Sequence, residues 1–218
     1  MNKIFVHKIK SQNGQGLMEL IVAIGIIVVG LFSVWALFFS NFAAEQEAET
    51  RMTASNLARE GIEAVKNLRD SNWLAVENNA PGVSWDSGFN DLGDSGYYTL
   101  GTIFSTSTSY NGLVTLSPIA NSNDTSTKLY VNGDGFYDYV SSPTSTPFSR
   151  FIVIKYICCA STDGFKCSAP QPISKDIGSS CGSDQIKVGI DVVSEVRWLG
   201  ADKQPRKATL EDQLFNWR

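Results

Sequence analysis

Cys158, Cys159, Cys167 and Cys181 are the residues of this 218-residue chain whose type and spacing point most directly to covalent chemistry. They form a CC-x7-C-x13-C pattern in a Gly/Ser/Pro-rich stretch. The pattern lacks the C-x2-C knuckle of common zinc sites and has no histidine nearby. Thiols so arranged suit disulfides made in an oxidising compartment, and four of them allow three connectivities. Adjacent cysteines bridge each other only with strain, so Cys158 and Cys159 are each expected to reach Cys167 or Cys181. Zinc binding and free thiols are the rival readings.

Acid-base and metal chemistry have less to work with. The only histidine is His7, in a short basic leader. If that leader is removed, as argued below, the mature chain loses its one imidazole, and with it the usual centre of hydrolase triads and histidine metal sites. Asn132, Asp134 and Asp138, in Val131-Asn132-Gly133-Asp134-Gly135-Phe136-Tyr137-Asp138, place oxygens at alternate positions as calcium loops do. The bidentate glutamate at the far end of a twelve-residue loop is missing, however, and Asn-Gly and Asp-Gly are ordinary turn dipeptides. A turn is the expected reading, with calcium as the alternative. No enzyme activity and no cofactor are expected.

The elements that must position these residues start with a membrane-length helix. Charged residues make up 18% of the chain, below the roughly 25% of soluble proteins, and apolar residues crowd near the N-terminus. From Leu17 to Phe39 the only charge is Glu19, and Leu20–Phe39 is apolar apart from Gly25, Gly30 and Ser33. Twenty helical residues rise about 30 Å, the thickness of a bilayer core. Lys3, Lys8 and Lys10 precede this run with no acid among them, so the leader is expected in the cytoplasm and the rest outside. A carboxylate at mid-bilayer costs about 2.5–3.5 kcal/mol and is rarely kept without a partner, which singles out Glu19. The net charge of −4 and the lack of any longer basic tract give no sign of a nucleic-acid surface.

A secretory signal places its small residues after the apolar core, whereas Asn13-Gly14-Gln15-Gly16 precedes it. The run Gly14-Gln15-Gly16-Leu17-Met18-Glu19-Leu20-Ile21-Val22-Ala23-Ile24 resembles the processing site of type IV pilins and type II secretion pseudopilins. The resemblance implies a prepilin peptidase that cuts after Gly14 and methylates the new N-terminus at Gln15. Glu19 then stands fifth in the mature chain, the family's glutamate position, whereas a cut after Gly16 would make it third. The first mature residue would be Gln15 where phenylalanine is commoner. By the same resemblance, Glu19 of an incoming subunit pairs with the N-terminal amine of Gln15 on its neighbour. The implied partners are other pilin or pseudopilin subunits, an inner-membrane assembly platform and membrane lipid. The alternative reading is a single-pass membrane-anchored sensor or binding protein that does not polymerise.

Beyond Phe39 no proline occurs before Pro81, and helix formers dominate to Arg69, so the helix is expected to continue to about Asp70. Ala44, Ala48, Met52, Ser55, Ala58, Ile62, Val65 and Leu68 form the expected packing stripe, with Glu45, Glu49, Arg59, Glu63 and Lys66 opposite. Past Asn72 the texture changes to short β-type runs: Tyr97–Phe104, Ser149–Cys158, Ile186–Trp198, and Lys207–Phe215 as a last strand or short helix. The expected fold class is α+β, a long N-terminal helix on an antiparallel sheet. The expected division is a cleaved leader over 1–14, a membrane or filament-core helix over 15–40, its amphipathic continuation over 41–71, and a β-rich head over 72–218. Trp73, Trp85, Tyr97, Tyr98 and Tyr110 are scattered through expected loops and name no ligand.

Overall fold

The computed structural model describes residues 15–89, 96–102, 114–161, 167, 173–174 and 176–216. The chain forms two compact units, Met1–Ala48 and Glu49–Arg218. One helix, α1 (Gln15–Glu77), supplies the described part of the first unit and opens the second. In the first unit its side chains are exposed throughout Leu17–Phe42, and this segment is long and apolar enough to cross a membrane.

In the second unit α1 buries Ala54, Leu57, Ala58, Gly61, Ile62, Val65, Leu68, Asn72 and Ala75, three or four residues apart along one face. Ala58, Ile62, Val65 and Leu68 belong to the expected stripe and Ser55 is half-buried, but Met52 is 66% exposed and Ala44 and Ala48 are exposed. At about 100° per residue Met52 lies nearly opposite the buried arc, and the two alanines precede the second unit.

The helix runs seven residues past Asp70 and ends in a Schellman motif. Asn79 takes a left-handed φ of 56°, Ala80 N donates to Ala75 O at 2.9 Å and Asn79 N to Val76 O at 3.0 Å. Pro81 then blocks continuation. Asn72, expected at the start of the head, is thus helical.

The described strands are β1 (Tyr97–Thr102), β2 (Val114–Pro118), β3 (Lys128–Val131), β4 (Tyr137–Asp138), β5 (Thr144–Ala160), β6 (Ile173–Ser174), β7 (Gln185–Leu199) and β8 (Pro205–Phe215). All pairings among them are antiparallel. β5 is the spine. Along one edge it pairs with β7 from Ser149↔Arg197 to Ala160↔Gln185, and β7 pairs with β8 beyond. Along its other edge it meets β3, β1 and β6 in turn, with β2 and β4 as hairpin partners of β1 and β3. The Lys207–Phe215 segment is therefore strand, not helix.

Strand alternation gives the sheet two faces. Rows such as Ile152–Ser194–Leu210 and Ile154–Val192–Asp212 share one face. With Tyr98, Leu100 and Leu214 this face forms the main core against Ile62, Val65 and Leu68 of α1. A second cluster, Ala54, Leu57, Ala58, Leu129, Phe148, Val196 and Trp198, continues it. The opposite face carries a smaller cluster of Ile119, Phe151 and Val153.

Candidate functional site

The processing and assembly residues sit at the start of α1. Gly14 lies outside the described residues, and Gln15 is the first residue of the helix. Glu19 is exposed one turn further on, flanked by exposed Leu17, Met18, Leu20 and Ile21. The described side chains beside this carboxylate on the helix are thus apolar.

The four cysteines form two disulfides, Cys158–Cys181 and Cys159–Cys167. Both half-cystines on β5 are buried, Cys167 is exposed and Cys181 half-buried. Because successive strand residues point to opposite faces, adjacent Cys158 and Cys159 draw their partners from opposite sides of the sheet. Each reaches a distant cysteine, as the strain argument requires, and the connectivity the sequence left open is resolved.

Residues 132–136 form the hairpin turn between β3 and β4, and Asp138 lies on β4. Asn132 Oδ1 accepts from Asp134 N at 3.0 Å and Phe136 N at 2.9 Å. Gly135 has a φ of 85°, and Asp138 Oδ1 accepts from Tyr139 N at 2.6 Å. These oxygens serve their own backbone, as Asx turns do. Among the described residues no group of three His, Cys, Asp or Glu side chains is placed to hold a metal ion.

Comparison of the chain with protein-family models, with curated proteins and with solved structures finds no match. Function must therefore be argued from the residues and their geometry.

The head's own polar geometry is a set of ties between elements. Arg150, on the helix-facing side of β5 and 2% exposed, donates from Nη1 to Leu57 O at 3.1 Å and pairs with Glu60 at 3.0 Å. Its Nε donates to Tyr139 Oη at 2.8 Å. Burial works against the guanidinium charge, but Tyr139 and Glu60 outweigh it and raise the pKa above the ordinary arginine value. Burial likewise pushes the Tyr139 hydroxyl up. Lys66 on α1 meets Asp212 on β8 at 2.8 Å. Asn72 donates to the carbonyls of Trp85 and Ser87 at 3.2 and 2.7 Å, tying the segment after the helix back onto it. In that segment Asp86 accepts from Ser84 and meets Lys187 of β7 at 2.5 Å, while Lys187 also lies over the rings of Trp85 and Tyr156.

Sequence reasoning did not find these ties. The one available signal was Arg150 on a strand whose alternate residues, Phe148 and Ile152, are core-forming. The aromatics expected in loops lie partly in regular elements, Trp73 in α1 and Tyr97 and Tyr98 on β1: Tyr98 is buried in the main core, Trp85 packs against it, and Tyr97 meets Phe151 at a tilt, 5.9 Å between centroids. Tyr110 lies outside the described residues. One cleft, edged by Lys155, Tyr156, Asp176 and Ser179, has a volume of about 40 Å³, room for water and little else.

Proposed function

We propose that this chain is a structural subunit of a type IV pilus or type II secretion pseudopilus. It is held in the membrane by α1, trimmed by a prepilin peptidase after Gly14, and assembled through that helix. The observation that carries the reading is the register of Gly14, Gln15 and Glu19 at the mouth of an unbroken apolar helix. The small residues stand before the apolar run, so cleavage there spares the helix, and Glu19 becomes fifth in a chain whose new amine is the natural counter-charge for it in a dry helix bundle. An antiparallel sheet packed on the distal part of the same helix and two disulfides fit an exported head.

The test is the mass of the mature N-terminus in cells. Removal of residues 1–14 plus one methyl group is expected. A chain that keeps its leader supports instead a membrane-anchored sensor or binding protein that does not polymerise.

A further inference from the structure

The exposed part of α1 in the first unit is not uniform. Phe32, Trp35, Phe38, Phe39 and Phe42 supply five aromatic rings in its last stretch, whereas Gly16–Leu31 contains none. All five are 48–72% exposed, and they lean on one another: Trp35 on Phe39 at 5.6 Å, Phe38 on Phe42 at 4.7 Å. At about 100° per residue they fall within an arc of roughly 120°. Glu19 projects about 160° away from the middle of that arc. The helix thus has a broad ring-bearing side near one end of its apolar run and its only buried-span charge on the opposite side near the other.

We infer that this aromatic face is a lipid-interface anchor, with the glycerol and headgroup zone of the outer leaflet as its occupant. The inference rests on the membrane-held stage of the reading above. Tryptophan concentrates where hydrocarbon meets headgroups, because its flat apolar body carries a polar N–H that suits that boundary; Trp35 is that residue here, and the four phenylalanines add apolar ring surface on its hydrocarbon side and around it. The sequence around the cluster places the boundary there. Before it come sixteen residues with no ring, rich in Ile and Val; Ser40 and Asn41 interrupt its far end before Phe42, and Glu45, Gln46 and Glu47 follow it. The distance agrees. Glu19 to Phe39 spans about 30 Å of helix, one hydrocarbon thickness, so Phe38, Phe39 and Phe42 held at the outer boundary, with Trp35 about 6 Å beneath it, set Glu19 at the inner one. There the carboxylate reaches water until a neighbour's amine replaces it. The rings therefore fix the depth at which an incoming subunit offers Glu19, and their one-sidedness leaves the Glu19 side free to meet other helices.

The test uses the full chain reconstituted into phosphatidylcholine vesicles whose acyl chains carry bromine at defined depths, with Trp35→Phe as background because the other tryptophans lie beyond the apolar run. Emission that disappears with that substitution is expected to be quenched most by bromine on the upper acyl chain, about 6 Å beneath the glycerol boundary, and least by bromine at the bilayer centre. Strongest quenching at the centre overturns the anchor by placing Trp35 in mid-hydrocarbon. No quenching at any depth, in chain that floats with the vesicles, overturns it by placing another helix over the rings. Chain that does not float with the vesicles overturns the membrane-held stage itself, and the anchor with it. The N-terminal mass reports on the filament reading independently of these depths.

Discussion

Arg150 on β5 donates to the main-chain carbonyl of Leu57 on α1 across 93 positions of sequence. The carbonyl belongs to a helix that is already hydrogen-bonded within itself, so the contact is an extra tie between helix and sheet. Its cost is a guanidinium carried into the core. The three partners of that group differ in exposure: Leu57 is buried and Tyr139 half-buried, whereas the Glu60 side chain is 52% exposed.

That asymmetry predicts an unusual ranking. Arg150→Met removes the buried charge, lets Glu60 hydrate, and leaves Tyr139 its donation to the main-chain carbonyl of residue 150 at 3.2 Å; the expected loss is about 1–2 kcal/mol. Glu60→Ala strands the guanidinium without its counter-charge and should cost more, about 3 kcal/mol. Urea unfolding of the chain in detergent measures both, and a smaller loss for Glu60→Ala would contradict this account of the node.

Gly61 offers a second test of how α1 meets the sheet. A Cβ built at Gly61 would lie 3.1 Å from Ser194 Cβ and closer still to its Oγ. That Oγ is buried with no hydrogen-bond partner among the described residues. Gly61→Ala should therefore destabilise by about 1–3 kcal/mol through overpacking. Ser194→Ala alone should be neutral or slightly stabilising, since no hydrogen bond is lost. In a double-mutant cycle the pair should cost less than the sum; strict additivity would mean the two residues do not touch.

The local patterns were readable because they are local. Leu20–Phe39 announces itself by composition, β5 and β7 by β-branched alternation, and the absence of a Cys158–Cys159 bond by the strain of a vicinal bridge, although which distant cysteine each reaches needed the fold. The missed features depend on register between distant segments. Arg150 reads as an ordinary strand residue until β5 is laid against α1, and Lys66–Asp212 needs both helix phase and the β7–β8 pairing. Met52 was misplaced because a three- and four-residue spacing fits several stripes around one helix, and only the sheet chooses among them. The helix end was placed too early because its stop signal, Asn79 followed by Pro81, lies beyond a stretch of mixed polarity.

Acid stability should depend on the carboxylates tied to bases. The hydrogen bond from Lys66 holds Asp212 below the ordinary carboxylate value. Burial alone would raise Glu195, but hydrogen bonds from Arg197 and Lys207 outweigh it and lower it too. A carboxyl with a lowered folded-state pKa adds stability above its unfolded value, about 4, and loses it as pH falls through the folded value. Thermal unfolding should accordingly be flat near neutrality and fall steeply below about pH 4. Glu195→Gln should be less stable than wild type at pH 7, with the deficit shrinking as pH drops. Asp212→Asn should show the same trend more weakly, because its ion pair is more than a third exposed and screened. A deficit for Glu195→Gln that grows on acidification would reverse the sign argued here.

The two disulfides close loops of different length, with sequence separations of 23 and 8. Loop-closure entropy assigns about 3.4 kcal/mol to the longer and about 2.6 kcal/mol to the shorter. Replacing Cys158 and Cys181 together by serine should lower the melting temperature more than replacing Cys159 and Cys167. Both variants should keep their β-sheet circular dichroism, since β5, β7 and β8 pair along most of their length without help from sulfur. Mass spectrometry of exported, non-reduced protein checks the premise: four alkylatable thiols would contradict both the bonds and the oxidising compartment.

Glu19→Ala separates insertion from assembly. The substitution removes a carboxylate from the apolar span, a gain of less than about 2.5 kcal/mol because the residue lies near the end of the run and not at its middle. Membrane insertion should therefore be unchanged or slightly improved, and the cleavage after Gly14 that the proposed function requires should continue, since the glycine and the basic leader are intact. On the function proposed above, what the variant lacks is the counter-charge for a neighbour's amine, so its incorporation into filaments beside wild-type subunits should fall sharply while its membrane pool grows. Fractionation of cells expressing tagged wild-type and variant chains reads both pools. If Glu19→Ala enters filaments as well as wild type, Glu19 is only a carboxylate tolerated at the membrane boundary, and its recruiting role is wrong.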